Sequence, residues 1–247
     1  MTASPAEPSP PAQPLRSLSI VIPAYNEEKR LPGTLHRVIE WLRQSGLDFS
    51  EIVVVDDGSR DNTVGAAEER SGVRVLRNPG NRGKGYAVRH GMLDARGDWI
   101  LYSDADLSTP IEDADTLYQA AIESSAVIAI GSRAIDRSLV SVHQSGFREW
   151  GGRLFNVVMR LVTGLRFHDT QCGFKLYRRD AAQTVFSRQK LDGFSFDVED
   201  LYLAKKAGLK AIEVPVRWAN VEGTKVSMGQ AMKSFTDLLK IRFGKRE

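Results

Sequence analysis

From Leu18 onward the sequence alternates short apolar runs with helix-patterned segments, and this rhythm restricts the chain to an α/β architecture. "LSIVIPAY" reads as a buried strand. "LPGTLHRVIEWLRQSG" then places apolar residues at 31, 35, 38, 39 and 42, a helical stripe closed by Gly46. The pattern repeats. "EIVVVDDGS" is a strand, with Asp61 placed to cap a helix over "NTVGAAEERSG". "VRVLRN" is a strand, "PGNRGKG" a loop and "YAVRHGMLDARG" a helix. "WILYSDAD" is the fourth strand, "EDADTLYQAAIESS" a helix and "AVIAIGSR" the fifth strand. Such regularity predicts a mostly parallel sheet covered on both faces, with ligands beyond the carboxyl ends of the strands.

The later half is less regular. It predicts a helix over "REWGGRLFNVVMRLVTG", a short strand in "CGFKLYRR", helices near 180–187 and 197–207, and a strand in "KAIEVPVRW". Pro215 marks that strand as an edge or a bulge. A last amphipathic helix, "MGQAMKSFTDLLKIRFGKRE", has apolar residues at 228, 232, 235, 238 and 239. Its basic end (Lys240, Arg242, Lys245, Arg246) suits ordinary solvation or contact with anionic lipid. Residues 1–17 read as a disordered Pro/Ala/Ser tail and 18–247 as one domain in two parts, 18–133 and 134–247.

Polar residues follow the apolar strands with a consistency that turn chemistry alone does not require. Tyr25-Asn26-Glu27, Asp56-Asp57-Gly58-Ser59, Asp104-Ala105-Asp106 and Ser132-Arg133 each sit where a strand ends. In an extended segment Asp104 and Asp106 would share one face, and two like charges held that close need a cation between them. Mg²⁺ or Mn²⁺ prefers such hard oxygens and commonly combines one or two carboxylates with substrate phosphates.

Composition removes several alternatives. The 247 residues are 42% hydrophobic and 26% charged, which excludes wholesale disorder. Cys172 is the one cysteine, so an intramolecular disulfide framework is ruled out and a reducing compartment is expected. The histidines (36, 90, 143, 168) are scattered and offer no zinc site. "NRGKGYA" lacks the full P-loop pattern, "DDGSRDNT" lacks a dinucleotide fingerprint, and no nucleic-acid-binding motif appears. No apolar run reaches the roughly 18 residues of a membrane span and no signal peptide is legible, so a cytoplasmic chain is expected. The net charge of +3 is uneven: residues 133–179 hold nine Lys/Arg against three acids. That excess suits either a solvated face or an anionic partner.

Taken in order, "VIPAYNEEKRL", "VVDDGSRDNT", "NRGKGYAVRHGM", "DADLSTP", "GSR", "DTQCGFKLYRR", "GFSFDVEDLYLA" and "VPVRWANVEGTKVS" resemble the inverting family 2 glycosyltransferases of the GT-A fold. The resemblance runs from about Leu18 to Arg242. "TQCGFKLYRR" and "VRWANVEGTKVS" are most similar to dolichyl-phosphate and polyprenyl-phosphate glucosyltransferases, with dolichyl-phosphate mannosyltransferases the next relatives.

The resemblance implies glucose transfer from UDP-glucose to a polyprenyl phosphate, aided by Mg²⁺ or Mn²⁺, at the inner face of a membrane that the chain meets peripherally. A homo-oligomer is compatible with this reading. Pro23, Tyr25, Glu27, Val55 and Asp57 would hold base and ribose, with Lys84 close by. Asp104 and Asp106, flanking Ala105, would hold the metal. Ser108 departs from the glutamine ligand that mannosyltransferase relatives can carry. Arg133 and Arg148 match cations near the donor and acceptor phosphates. Members that transfer to hydroxyls use an aspartate base in the segment matching "FDVED", so Asp197, Glu199 and Asp200 are all candidates, with a helix N-cap the other reading of Asp197. The same fold with another donor, such as GDP-mannose, or with a hydroxyl acceptor is the alternative. A non-catalytic sugar-nucleotide binder is disfavoured by the intact aspartate pair.

Overall fold

The computed structural model describes residues 14–142, 158–219 and 228–243. Arg148, most of the helix predicted over 148–164, His143, Lys245 and Arg246 lie outside them. Seven strands form one sheet: β1 (Ser17–Ala24), β2 (Phe49–Asp56), β3 (Val73–Arg77), β4 (Trp99–Ser103), β5 (Ile128–Ser132), β7 (Phe174–Arg178) and β8 (Ala211–Pro215), in the order β3-β2-β1-β4-β7-β5-β8. All pairings are parallel except those of β7, which runs antiparallel between β4 and β5. A separate two-stranded parallel pair joins β6 (Val140–Val142) to β9 (Trp218–Ala219). The mostly parallel sheet expected from the alternation is therefore present, with Pro215 ending an edge strand.

Each strand feeds both faces because successive side chains point opposite ways. Leu18, Ile20 and Ile22 join Ile52, Val54, Leu101 and Leu176 on one side, under α1 (Leu31–Gln44) and α4 (Asp113–Glu123). Val21, Val53, Val55, Ile100, Tyr102 and Tyr177 pack on the other. There they meet α3 (Lys84–Asp94), α6 (Arg179–Phe186) and α7 (Phe196–Lys206). The remaining helices are α2 (Thr63–Glu68), the described part of α5 over 158–163, and α8 (Met228–Phe243).

Three sequence expectations shift in detail. Asn62, not Asp61, occupies the N-cap position of α2, although Asp61 accepts the Thr63 backbone N–H, and α2 stops at Glu68, short of the predicted end. α3 opens two residues earlier than its pattern suggested, so Lys84 is its first residue rather than part of a loop. Gly83, at φ 114°, makes that entry: it adopts a backbone that side chains disfavour, and a Cβ there would strike the Asp192 carbonyl.

Candidate active site

The carboxyl ends of β1, β2, β4 and β5 open on one edge of the sheet, as parallel pairing requires. Behind β1, Asn26 adopts a left-handed backbone (φ 54°); its N–H donates to Ser59 Oγ and its side-chain oxygen accepts from the Arg60 N–H. Glu27 receives the Arg30 guanidinium through two bonds of 2.7 Å. Tyr25 is half-buried beside them and Pro23 is buried.

Behind β2, Asp57 organises the following loop. Its carboxylate accepts from Asn78 Nδ2 (2.8 Å) and from the N–H groups of Arg82 (3.1 Å) and Gly83 (2.8 Å). Asp57 thus holds the start of α3, which sets the position of Lys84. Val55 is placed differently from the expectation. Its side chain is fully buried in the core against Gly91 of α3, because its register on β2 points it away from the sheet edge, so no side-chain contact with a base or ribose is available to it.

Asp104 and Asp106 leave the extended conformation that their spacing suggested. β4 ends at Ser103, the Leu107 N–H donates to the Asp104 carbonyl (3.2 Å), and Leu107 takes φ 49°. The segment is a turn, yet the alternation survives. Asp104, Asp106 and Ser108 are half-buried, whereas Ala105, Leu107 and Thr109 are buried. Ala105 is pinned from behind by the Thr34 hydroxyl, which donates to its carbonyl.

Asp104 is held by specific partners. Lys84 Nζ lies 2.8 Å from Oδ1, which also accepts from the Tyr102 hydroxyl (2.9 Å). Burial works to lower the Lys84 pKa, but Asp104 and Asp197 outweigh it and hold the ammonium above its ordinary range. Burial, with Asp104 adding to it, pushes the Tyr102 phenol well up, so it donates a proton rather than losing one. Gly173, which sequence reasoning did not single out, lies against the same carboxylate: a Cβ there would collide with Oδ2, and its carbonyl accepts from the Asp104 N–H (3.0 Å). Asp106 Oδ1 accepts from the Ser108 N–H (3.0 Å). Ser103, Asp104, Ser108, Thr109, Cys172, Gly173 and Trp218 line a cleft at this point.

Arg133 is already engaged. It grips Asp169 through Nε (2.6 Å) and Nη2 (2.8 Å), and its guanidinium lies 5.4 Å from the centroid of the Trp218 ring. Burial opposes its charge, but Asp169 overrides this and raises its pKa further. Part of the basic excess over 133–179 is answered in the same way. Lys175 pairs with Asp197 and Asp200, Arg178 with Asp180 and Arg179 with Asp98, all acids outside the counted segment. Those three charges are balanced by protein carboxylates.

The "FDVED" carboxylates divide. Ser195, not Asp197, occupies the N-cap position of α7, and Asp197 sits in the first turn. Glu199 turns away and accepts the N–H groups of Lys190 (3.1 Å) and Leu191 (2.7 Å), fixing the loop that packs on Gly85. Asp200 is fully buried and accepts from Tyr177 (2.7 Å) and Lys175 (3.3 Å). Burial, with Asp197 adding to it against the pull of Lys175, pushes Asp200 up to about 7. Asp197 shares Lys175 with Asp200, and the charges of Lys84 and Asp104 both act on it.

A divalent cation fits the aspartate pair. Two half-buried carboxylates offer hard oxygens, and the missing Cβ at Gly173 leaves room for the Asp104 carboxylate itself. Among the described residues no group of three or more His, Cys, Asp or Glu gathers. Among the described residues the protein share of such a coordination sphere would be two carboxylates, with the remainder left to phosphates and water.

Residues 19–186 match the family described as Glycosyl transferase family 2. Similar proteins include the dolichyl-phosphate beta-glucosyltransferase of Drosophila melanogaster, 41% identical over 236 residues that span 89% of this chain and 72% of that one. The dolichyl-phosphate beta-glucosyltransferase of Homo sapiens is 38% identical over 248 residues, 93% of this chain and 76% of that one. Among solved structures, glucosyl-3-phosphoglycerate synthase from Mycobacterium tuberculosis with Mn²⁺ and UDP-glucose superposes with a TM-score of 0.67 at 19% identity, covering 92% of this chain and 79% of that one. Mannosyl-3-phosphoglycerate synthase from Rubrobacter xylanophilus gives 0.69 at 20% identity, covering 92% and 72%. At such identities the structures speak to the fold, and the sequence matches speak to the family. The chain belongs to glycosyltransferase family 2 and is a glycosyltransferase of the GT-A fold.

Proposed function

We propose that the enzyme transfers glucose from UDP-glucose to the phosphate of a polyprenyl lipid, with inversion at the anomeric carbon. The observation that carries this reading is the placement of Asp104 and Asp106 at the end of β4, with Lys84 on Asp104, inside a chain similar to dolichyl-phosphate beta-glucosyltransferases. Tyr25, Glu27 and the Asp57-held loop border the strand ends on the side assigned to the uridine. Mg²⁺ or Mn²⁺ bound by Asp104 and Asp106 would neutralise charge on the departing diphosphate. Lys84 adds a fixed positive charge beside it.

A lipid phosphate oxygen attacks the anomeric carbon from the face opposite UDP. The bond from that carbon to the β-phosphate oxygen breaks, and UDP leaves with the electron pair. A phosphate monoester has a second pKa near about 6, so the nucleophile is largely ionised at neutral pH and needs no general base. The burial of Asp200 and its ties to Lys175 and Tyr177 agree with this, because a base for a hydroxyl acceptor must reach the acceptor. Arg148 is assigned to the acceptor phosphate by its match to the family pattern alone.

Peripheral membrane contact is part of the same proposal. Among the described residues no helix is long and apolar enough to cross a membrane. Leu239 (55% exposed) and Phe243 (74%) project from α8 next to Lys240 and Arg242, a pairing of apolar and basic groups suited to an anionic lipid surface.

The test is to incubate the purified protein with labelled UDP-glucose, Mn²⁺ or Mg²⁺ and a short polyprenyl phosphate. Label is expected in the organic extract. Lipid product from GDP-mannose alone overturns the donor assignment, and no lipid product with either donor and either metal overturns the acceptor assignment.

A further inference from the structure

The cleft beside Asp104 is bordered by an aromatic side chain that lies on the Arg133 guanidinium. Among the described residues lining it, Trp218 is the sole aromatic; the others are Ser103, Asp104, Ser108, Thr109, Cys172 and Gly173. From the geometry we infer that Trp218 is the platform for the hexose of the donor, and that it sets the affinity for the sugar separately from that for the nucleotide. The inference rests on the donor reading above.

Position carries the first part of the argument. A nucleotide sugar whose diphosphate meets Asp104 carries its hexose one bond beyond the β-phosphate. The sugar therefore lies near the Asp104 carboxylate, at the mouth of the cleft that Trp218 borders. A glucopyranose ring bears its hydroxyls equatorially, so its faces present C–H groups. Those faces suit the electron-rich face of an indole and bury well against it.

Rigidity carries the second part. Both neighbours of Trp218 are anchored on the donor side of the molecule. The Arg217 N–H and Nε each donate to the Asp113 carboxylate at 2.8 Å. The Ala219 N–H donates to the Ser108 carbonyl (3.0 Å), two residues beyond Asp106. The indole also lies on the Arg133 guanidinium, which Asp169 fixes through two further bonds. Arg133 is thereby a positioning residue that supports Trp218, and its bidentate tie to Asp169 explains why so basic a group in the site is spent on a protein carboxylate. A side chain held this way gains contact area without the entropy loss of ordering a mobile one.

The third part is chemical economy. Ser108 and Thr109 offer hydroxyls at the cleft wall, the few placed polar groups that a sugar site adds to an apolar platform. Cys172 is no rival as a functional group, since burial, with Asp169 adding to it, pushes its thiol up to about 12 and keeps it protonated.

Calorimetric titration of wild type, W218F, W218L and W218A with UDP and with UDP-glucose, each in the presence of Mn²⁺, tests this without turnover. W218L and W218A are expected to weaken UDP-glucose by about tenfold while UDP changes less than about twofold, and W218F to retain most of the UDP-glucose affinity. Leucine keeps apolar volume on Arg133, so an equal loss in W218L and W218A isolates the aromatic face from packing. Equal weakening of UDP and UDP-glucose, or no change in either, overturns the platform. If the wild type binds UDP but gains nothing from the glucose, the platform alone falls. If it binds neither ligand, the donor reading falls and takes the platform with it.

Discussion

The chain spells two acidic clusters in nearly the same letters, "DAD" after β4 and "DVED" in the first turns of α7, and the fold treats them as opposites. Asp104 and Asp106 are half-buried on a turn, with Lys84 and the Tyr102 hydroxyl gathered on one oxygen of Asp104. Asp197, Glu199 and Asp200 are buried, and each is saturated from within: Lys175 for the two aspartates, backbone N–H groups for the glutamate. A carboxylate in the first setting can exchange partners with an incoming cation at modest cost. One in the second cannot, because leaving its partner would strand a charge in low dielectric. The residue type announces charge; burial decides whether that charge is chemistry or scaffolding.

That contrast can be broken most severely at Lys175, the fully buried cation between Asp197 and Asp200. K175M leaves both carboxylates without it and is expected to destabilise the fold by about 3–5 kcal/mol, read as a lowered urea midpoint. A midpoint shift below about 1 kcal/mol would show that the α7 cluster is not structural.

On the open side the expected effects are kinetic. G173A puts a methyl group into the space of Asp104 Oδ2. It should lower kcat/KM for transfer by about tenfold or more with little change in melting temperature, since a carboxylate displaced by about 1 Å loses much of its positioning advantage. Unchanged kinetics would show that this oxygen has no role.

The smallest effect is a pH signature. Burial pushes Asp200 up to about 7 from an ordinary 3.8, so between those values the native state holds a proton that the unfolded chain has lost. Its contribution is therefore largest at or below the lower value and declines as pH rises through the upper, by at most about 1.4 kcal/mol per pH unit. D200N should flatten the stability profile between pH 4.5 and pH 7, measured by urea unfolding, while transfer falls less than about fivefold. An unflattened profile would remove Asp200 from the titration.

The part of the molecule legible in the sequence is the part built locally. Strand ends in "PAYNE", "VDDGS" and "YSDAD" announced one polar edge because parallel crossovers bring every strand's carboxyl end to the same side. The antiparallel direction of β7 was not legible. Phe174 and Leu176 serve one core, Tyr177 the other, and Lys175 buries its stem among apolar neighbours, so the run shows neither clean alternation nor a continuous apolar stretch. The partners of Lys175 and Arg179 were illegible for the same reason, since the acids that answer them are distant in sequence. Gly173 carried one local signal, a glycine directly before a strand, but nothing in the sequence said that Asp104 would lie against it. Trp218 read as the end of an edge strand until the fold carried it to the cleft.

The central claim is that the open aspartate pair, and not the buried one, holds the cation on which sugar transfer depends. Mn²⁺ binding followed by electron paramagnetic resonance, with UDP present, tests it directly on wild type, D104N/D106N and D200N. The account predicts that the ion stays free with D104N/D106N and is bound by D200N as tightly as by wild type. Retention of the ion by D104N/D106N, or its loss from a folded D200N, would contradict it.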